Sequence, residues 1–192
     1  MIVRDNEPNW LDAGSVCLQG VPATLVSWLL YRKSLTRRMQ KRCAGQFAVQ
    51  VIAQRWQRPL FSERQALALA DREICLIRQV RLLCSGQAWV FARTVIPAST
   101  LTGERRQLAR LGSRPLGAML FADRRIRRHS NELARLGPAH AIYQMASAGG
   151  GFPLDEIWGR RSVYEYSGRP LLVNEIFLPG LLQADRVAEK FH

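Results

Sequence analysis

Two charged residues stand where the chain's own pattern calls for apolar ones. In the run Ile74–Cys84 (ICLIRQVRLLC), strand alternation puts Ile74, Leu76, Arg78, Val80 and Leu82 on one face, with Arg78 the one charge in the stripe. In Pro170–Leu178 (PLLVNEIFL), Leu171, Val173, Glu175 and Phe177 share a face, and Glu175 is alone among them in the same way. A charge buried without a partner is costly. Either Arg78 and Glu175 pair with each other as a structural ion pair, or both line a cavity and meet an anion and a hydroxyl of a bound ligand. Parity leaves both readings open. The chemistry available is that of a planar guanidinium fork, which suits a carboxylate, and of a carboxyl group in an apolar setting, which suits proton transfer.

Other reactive constellations are thin. His129, His140 and His192 have no HExxH-like relation and no Cys or carboxylate at ligand spacing, so no metal is expected. There is no GxSxG elbow and no phosphate-type glycine loop, so neither that nucleophile nor a nucleotide cofactor is expected. Cys17, Cys43, Cys75 and Cys84 form no CxxC pair; Cys75 and Cys84 sit in apolar runs and read as small hydrophobes of a reduced, cytoplasmic protein. The N-terminal MIVRDNEPNW has no apolar signal core, and no run approaches the roughly 18 apolar residues of a membrane span.

Lys and Arg total 28 against 15 acidic residues, a formal charge of +13. Such an excess favours an anionic partner: nucleic acid, an anionic membrane or an acidic small molecule. The basic groups around Arg37–Arg42, Arg105–Arg110 and Arg124–Arg128 read as solvated helix faces. Aromatic residues are not interleaved with them, so a nucleic-acid partner is not expected.

These residues need a scaffold. The length, 192 residues, suits one domain over the whole chain. Val21–Tyr31 reads as an amphipathic helix, and Ser34 as the N-cap of a second from Leu35 to about Cys43. Gln46–Trp56, Ile74–Cys84, Ala88–Ile96, Ser162–Tyr166 and Pro170–Leu178 read as strands, with turns at Ser85-Gly86-Gln87 and Ser167-Gly168-Arg169. A charged helix is expected from Gly103 to Leu111, a flexible loop in the mobile piece Pro138–Pro153 that holds Gly149, Gly150 and Gly151, and a tail from about residue 181. Strands joined by short turns predict an α+β fold: an antiparallel sheet with helices covering one face.

Several stretches together resemble the chorismate–pyruvate lyase family of ubiquinone biosynthesis. They are Trp28-Leu29-Leu30 with Ser34-Leu35-Thr36, Arg78–Leu83 (RQVRLL), Ala92–Leu101 (ARTVIPASTL), Arg114–Gly117 (RPLG), Trp158–Ser162 (WGRRS) and Asn174–Pro179 (NEIFLP). They occur in the family's order, between about Val26 and Leu182. Leu35 stands where some members have Met, a volume-conserving exchange.

The resemblance implies a ligand buried under two helical flaps of an antiparallel-sheet protein. It implies a cofactor-free lyase that splits chorismate into pyruvate and 4-hydroxybenzoate, working as a cytoplasmic monomer without stable membrane insertion. It places substrate-binding roles on Leu35, Arg78, Leu116 and Glu175, with Glu175 also catalytic. Arg78 would hold a carboxylate with help from the main chain near Leu116, and Glu175 would meet the ring hydroxyl. Arg160 or Arg161 is a candidate for the second carboxylate, or else a surface residue. The rival reading is a non-catalytic module of the same fold that binds a small aromatic acid.

Overall fold

The computed structural model describes residues 6–43, 46–148 and 155–189. Eight strands form one antiparallel sheet: β1 (Leu11–Asp12), β2 (Phe47–Gln57), β3 (Cys75–Cys84), β4 (Gln87–Pro97), β5 (Ile126–Arg128), β6 (Glu132–Leu136), β7 (Ile157–Tyr166) and β8 (Arg169–Phe177). Their order is β1-β6-β7-β8-β4-β3-β2, with β5 pairing the far end of β7. The two central hairpins turn on Ser85-Gly86 and Ser167-Gly168. All four turn residues have positive φ, the backbone that matches strand twist and that glycine supplies without strain.

Among the described residues there are six α-helices: α1 (Ala23–Leu29), α2 (Leu35–Arg42), α3 (Phe61–Ala66), α4 (Leu116–Leu120), α5 (Ala141–Ser147) and α6 (Pro179–Glu189). Ser34 caps α2 as its sequence predicts, its Oγ accepting from the Arg37 amide at 3.3 Å. The charged segment Gly103–Arg110 is 3-10 helix. None of the described helices is long and apolar enough to cross a membrane.

The even-numbered face of β3, carrying Leu76, Val80 and Leu82, packs under α1, α2, α4 and the 3-10 segment. The α+β antiparallel architecture is the one expected, but the cover is wider than one face. Phe91, Ile176 and Ile157 on the opposite side pack against Ile142, Tyr143 and Ala146 of α5, while Ile77, Val95 and Leu172 pack against Leu67, just after α3. Both faces of the central strands are apolar, so both need a layer.

Two further expectations change. The tail from about residue 181 is α6: Pro179 opens the helix, where its missing N–H costs nothing, and Leu181 is fully buried. Part of the stretch read as a mobile loop is α5; Gly149–Gly151 lie outside the described residues. The cysteines are not all thiols either. Cys43, capping α2, is joined to Cys84 at the end of β3, whereas Cys17 and Cys75 are free.

Candidate active site

The two covers over the sheet's even face meet above β3, β4 and β8, and a narrow cavity remains beneath them. Leu35 and Thr36 of α2 and Leu116 and Gly117 of α4 form its roof; Arg78, Val80, Thr94, Val173 and Glu175 form its floor. Tyr164 and Phe121 close one side. Leu35, Arg78, Leu116 and Glu175, dispersed in sequence, therefore border one space. The second helix of the basic helix pair thus roofs the cavity, and its inner face carries Leu35, Thr36 and Met39. Arg38 is not a solvated charge: it stacks on the Trp28 and Tyr31 rings and donates to Ser27, welding α2 to α1.

Arg78 and Glu175 do not pair with each other. Arg78 is 2% exposed and spends Nη2 on the carbonyls of Gly112 (2.8 Å) and Arg114 (3.2 Å), in the loop that leads into α4. Its Nε is buried without a hydrogen-bond partner. Burial lowers the pKa of this guanidinium from its ordinary value. A buried cation with an unspent donor is the electrostatic setting that an anion entering the cavity would relieve.

Glu175 has a different partner. Its Oε2 accepts from Arg160 Nε at 2.7 Å and Nη2 at 2.6 Å. Arg160 faces Glu175 across the β7–β8 ladder and is 1% exposed, so it is no surface residue. Its remaining nitrogen donates to the carbonyls of Trp28 (3.2 Å), Leu29 (3.5 Å) and Tyr31 (2.5 Å) at the end of α1. Arg161 points to the other face, where it pairs with Glu132 and lies over the Trp10 ring. The setting of Glu175 is therefore not apolar alone, as its strand neighbours suggest; a cation is fixed to one of its oxygens.

Sequence reasoning leaves Arg160 undecided between a ligand carboxylate and the surface, and passes over Tyr164 and Thr36 as site residues. Arg160 lies beyond the strand start read at Ser162; β7 in fact begins at Ile157, and parity from there puts Arg160 and Tyr164 on the cavity face with Glu175. Burial is the largest cause raising the Tyr164 phenol pKa, with the Glu175 charge second, so the ring stays a neutral wall.

A family model described as chorismate lyase matches residues 6–187. The chain belongs to the chorismate lyase family. Among its relatives, the probable chorismate pyruvate-lyase of Methylococcus capsulatus is 44% identical over 162 residues, covering 84% of this chain and 99% of that one. The probable chorismate pyruvate-lyase of Aromatoleum aromaticum is 40% identical over 186 residues, covering 95% and 98%. Among solved structures, the effector domain of PhnF from Mycobacterium smegmatis is similar at a TM-score of 0.54 and 14% identity, covering 79% of this chain and 91% of that one. That likeness concerns the fold. The cavity, with Leu35, Arg78, Leu116 and Glu175 among its lining, lies wholly within the matched residues.

Proposed function

We propose that this chain is a chorismate lyase, eliminating pyruvate from chorismate to leave 4-hydroxybenzoate, the first committed step toward ubiquinone. One observation carries the site: a buried guanidinium with a free donor and a carboxylate held by one oxygen face the same roofed cavity without touching each other. A ring with a carboxylate at one end and a hydroxyl at the other suits a cation and a carboxylate that border one cavity without pairing. Arg78 takes the ring carboxylate, aided by main-chain N–H groups at the start of α4, which a helix's own hydrogen bonds leave unspent. Leu35 and Leu116 cover the ring, and Glu175 Oε1 meets the hydroxyl.

The reaction balances within the substrate. The ring carbon–oxygen bond to the enolpyruvyl group breaks, and the neighbouring C–H electron pair enters the new aromatic system. The released proton ends on the enolpyruvyl methylene, which becomes the methyl of pyruvate. Aromatisation supplies the driving force. The protein's part is to orient the ring, exclude water under the α2 and α4 roof, and stabilise the hydroxyl-bearing carbon as its proton leaves. With Arg160 on Oε2, Glu175 is left with Oε1 to meet the ring hydroxyl.

The same reading makes the enzyme a cytoplasmic monomer that needs neither metal nor redox cofactor. Purified protein mixed with chorismate should yield equal amounts of pyruvate and 4-hydroxybenzoate, with no change on adding a chelator. Loss of activity to a chelator and its return with a divalent ion would overturn the cofactor-free part. Tight 4-hydroxybenzoate binding without turnover would turn the protein into a binding module of this fold.

A further inference from the structure

Arg160 is a costly residue to place where it is. Its guanidinium is 1% exposed at the middle of the sheet, and a buried charge is kept only when its hydrogen bonds are satisfied. What satisfies it spans two separate parts of the site, the strand β8 and the end of α1. Nε and Nη2 both close on one oxygen of Glu175, Oε2. Nη1 reaches the carbonyls of Trp28 and Leu29 in the last turn of α1 and of Tyr31 just beyond it; the Trp28 carbonyl also accepts from the Tyr31 amide at 3.3 Å. These carbonyls also carry the partial negative charge of a helix C-terminus, so a cation is favoured there. Four residues after Tyr31 comes Leu35, which roofs the cavity.

We infer that Arg160 is a positioning residue that couples Glu175 to the α1–α2 flap. The planar guanidinium fixes the angle between its two sets of partners. If the end of α1 lifts, the fork must turn or lose its carbonyls, and either change releases Oε2. Closure of the flap therefore sets Glu175 with Oε1 toward the cavity, and opening loosens it. The carboxylate is in its working orientation only while the site is covered. This rests on the lyase reading for its kinetic consequence, but the mechanical link stands on the contacts alone.

The test separates the two. Hydrogen exchange of the amides at residues 28–36 is followed in the wild type, in Glu175→Gln and in Arg160→Lys. Alongside, single-turnover conversion of chorismate and the dissociation rate of 4-hydroxybenzoate are measured. Coupling predicts that Glu175→Gln, a change on β8, speeds exchange at the end of α1 while exchange in the central strands stays as it was. Arg160→Lys keeps the charge but cannot bridge both partners. Single-turnover rate should fall roughly 10–100-fold, the cost of a small misplacement of a reacting group. Product should also leave faster, with KM changing far less than kcat. Unchanged flap exchange in Glu175→Gln would overturn the link whether or not the protein is a lyase. If Arg160→Lys loses its fold, that exchange measurement alone decides. A wild type that neither converts chorismate nor binds 4-hydroxybenzoate, yet shows the exchange effect, would sink the lyase reading and keep the link.

Discussion

The hydroxyl of Thr36 lies 2.7 Å from where a β-carbon on Gly117 would stand. Thr36 belongs to α2 and Gly117 to α4, so this contact is where the two halves of the roof close on each other. Thr36 is buried and β-branched, with little freedom to turn aside. Gly117→Ala should hold the two halves apart. Overpacking of this kind costs roughly 1–3 kcal/mol, felt here in the closed state, so 4-hydroxybenzoate should dissociate at least several-fold faster. Stopped-flow dissociation kinetics reads this directly. Thr36→Ala removes the clashing oxygen, and the double variant should recover much of the slow release; no recovery would place the effect elsewhere.

Arg78 ties the other half of the roof to the floor, through Gly112 and Arg114, while keeping its Nε for a ligand. Arg78→Ala should weaken 4-hydroxybenzoate binding by about 2–5 kcal/mol, the cost of truncating one partner of a buried hydrogen-bonded charge pair. Arg78→Lys should recover only part, because an ammonium cannot serve both the carbonyls and a carboxylate in one plane. Calorimetric titration of folded variants checks both. Wild-type affinity in Arg78→Ala would remove the carboxylate from this end of the cavity.

The strands were legible because their alternation is strong and their turns carry glycine: β3, β4 and β8 begin and end within a residue or two of the runs read from sequence. Arg78 and Glu175 were legible for the same reason, each breaking an apolar stripe. The helices α3 and α5 were not. At six and seven residues they make two turns or fewer, too short for a helical period to show against polar neighbours. The place of Arg160 was hidden by a boundary: with the strand started at Ser162, its position opposite Glu175 could not appear. The Cys43–Cys84 bond joins residues 41 apart, a separation for which no spacing rule exists.

The far face of the sheet offers a control. Arg93 and Glu63 are both 1% exposed there, bonded through two contacts of 2.8 and 3.0 Å, and Asn174 donates to the same carboxylate at 2.8 Å. Glu63→Ala leaves Arg93 buried and uncompensated, a loss of about 3–5 kcal/mol in stability. None of these three side chains lines the cavity. Urea unfolding should show the loss, and ligand affinity at low temperature should stay near that of the wild type. A large affinity change without a stability change would assign this cluster to the site.

The thiols can be counted. Burial pushes the Cys75 thiol up to about 12, with Glu73 and Glu63 adding to the shift, so at pH 8 it is neither reachable nor ionised. Cys17 is exposed. Native protein without reductant should take an alkylating label at Cys17 alone. After unfolding without reductant Cys75 should join it, and Cys43 and Cys84 should label only after reduction. Closing a loop of this length stabilises by about 2–4 kcal/mol, so reductant should lower the melting temperature. Four labels on unfolded, unreduced protein would show that the bond does not form in solution.

Glu175 decides between moving a proton and merely holding the ring. Its Oε2 is committed to Arg160, so whatever it does for the ligand it does with Oε1. Glu175→Gln keeps the shape and an amide that can still hydrogen-bond the ring hydroxyl, but it cannot take up a proton. If the carboxylate accepts or relays the proton lost from the ring, the variant should bind 4-hydroxybenzoate and lose roughly 100-fold or more in single-turnover rate. If it only positions the hydroxyl, the rate should fall by much less, and Glu175→Asp, which withdraws the carboxylate by one methylene, should be the more harmful change. The order of the two variants is informative even if both are slow: Gln worse than Asp means proton transfer, Asp worse than Gln means placement. Wild-type turnover in both would take Glu175 out of the reaction and leave it as Arg160's structural counter-charge.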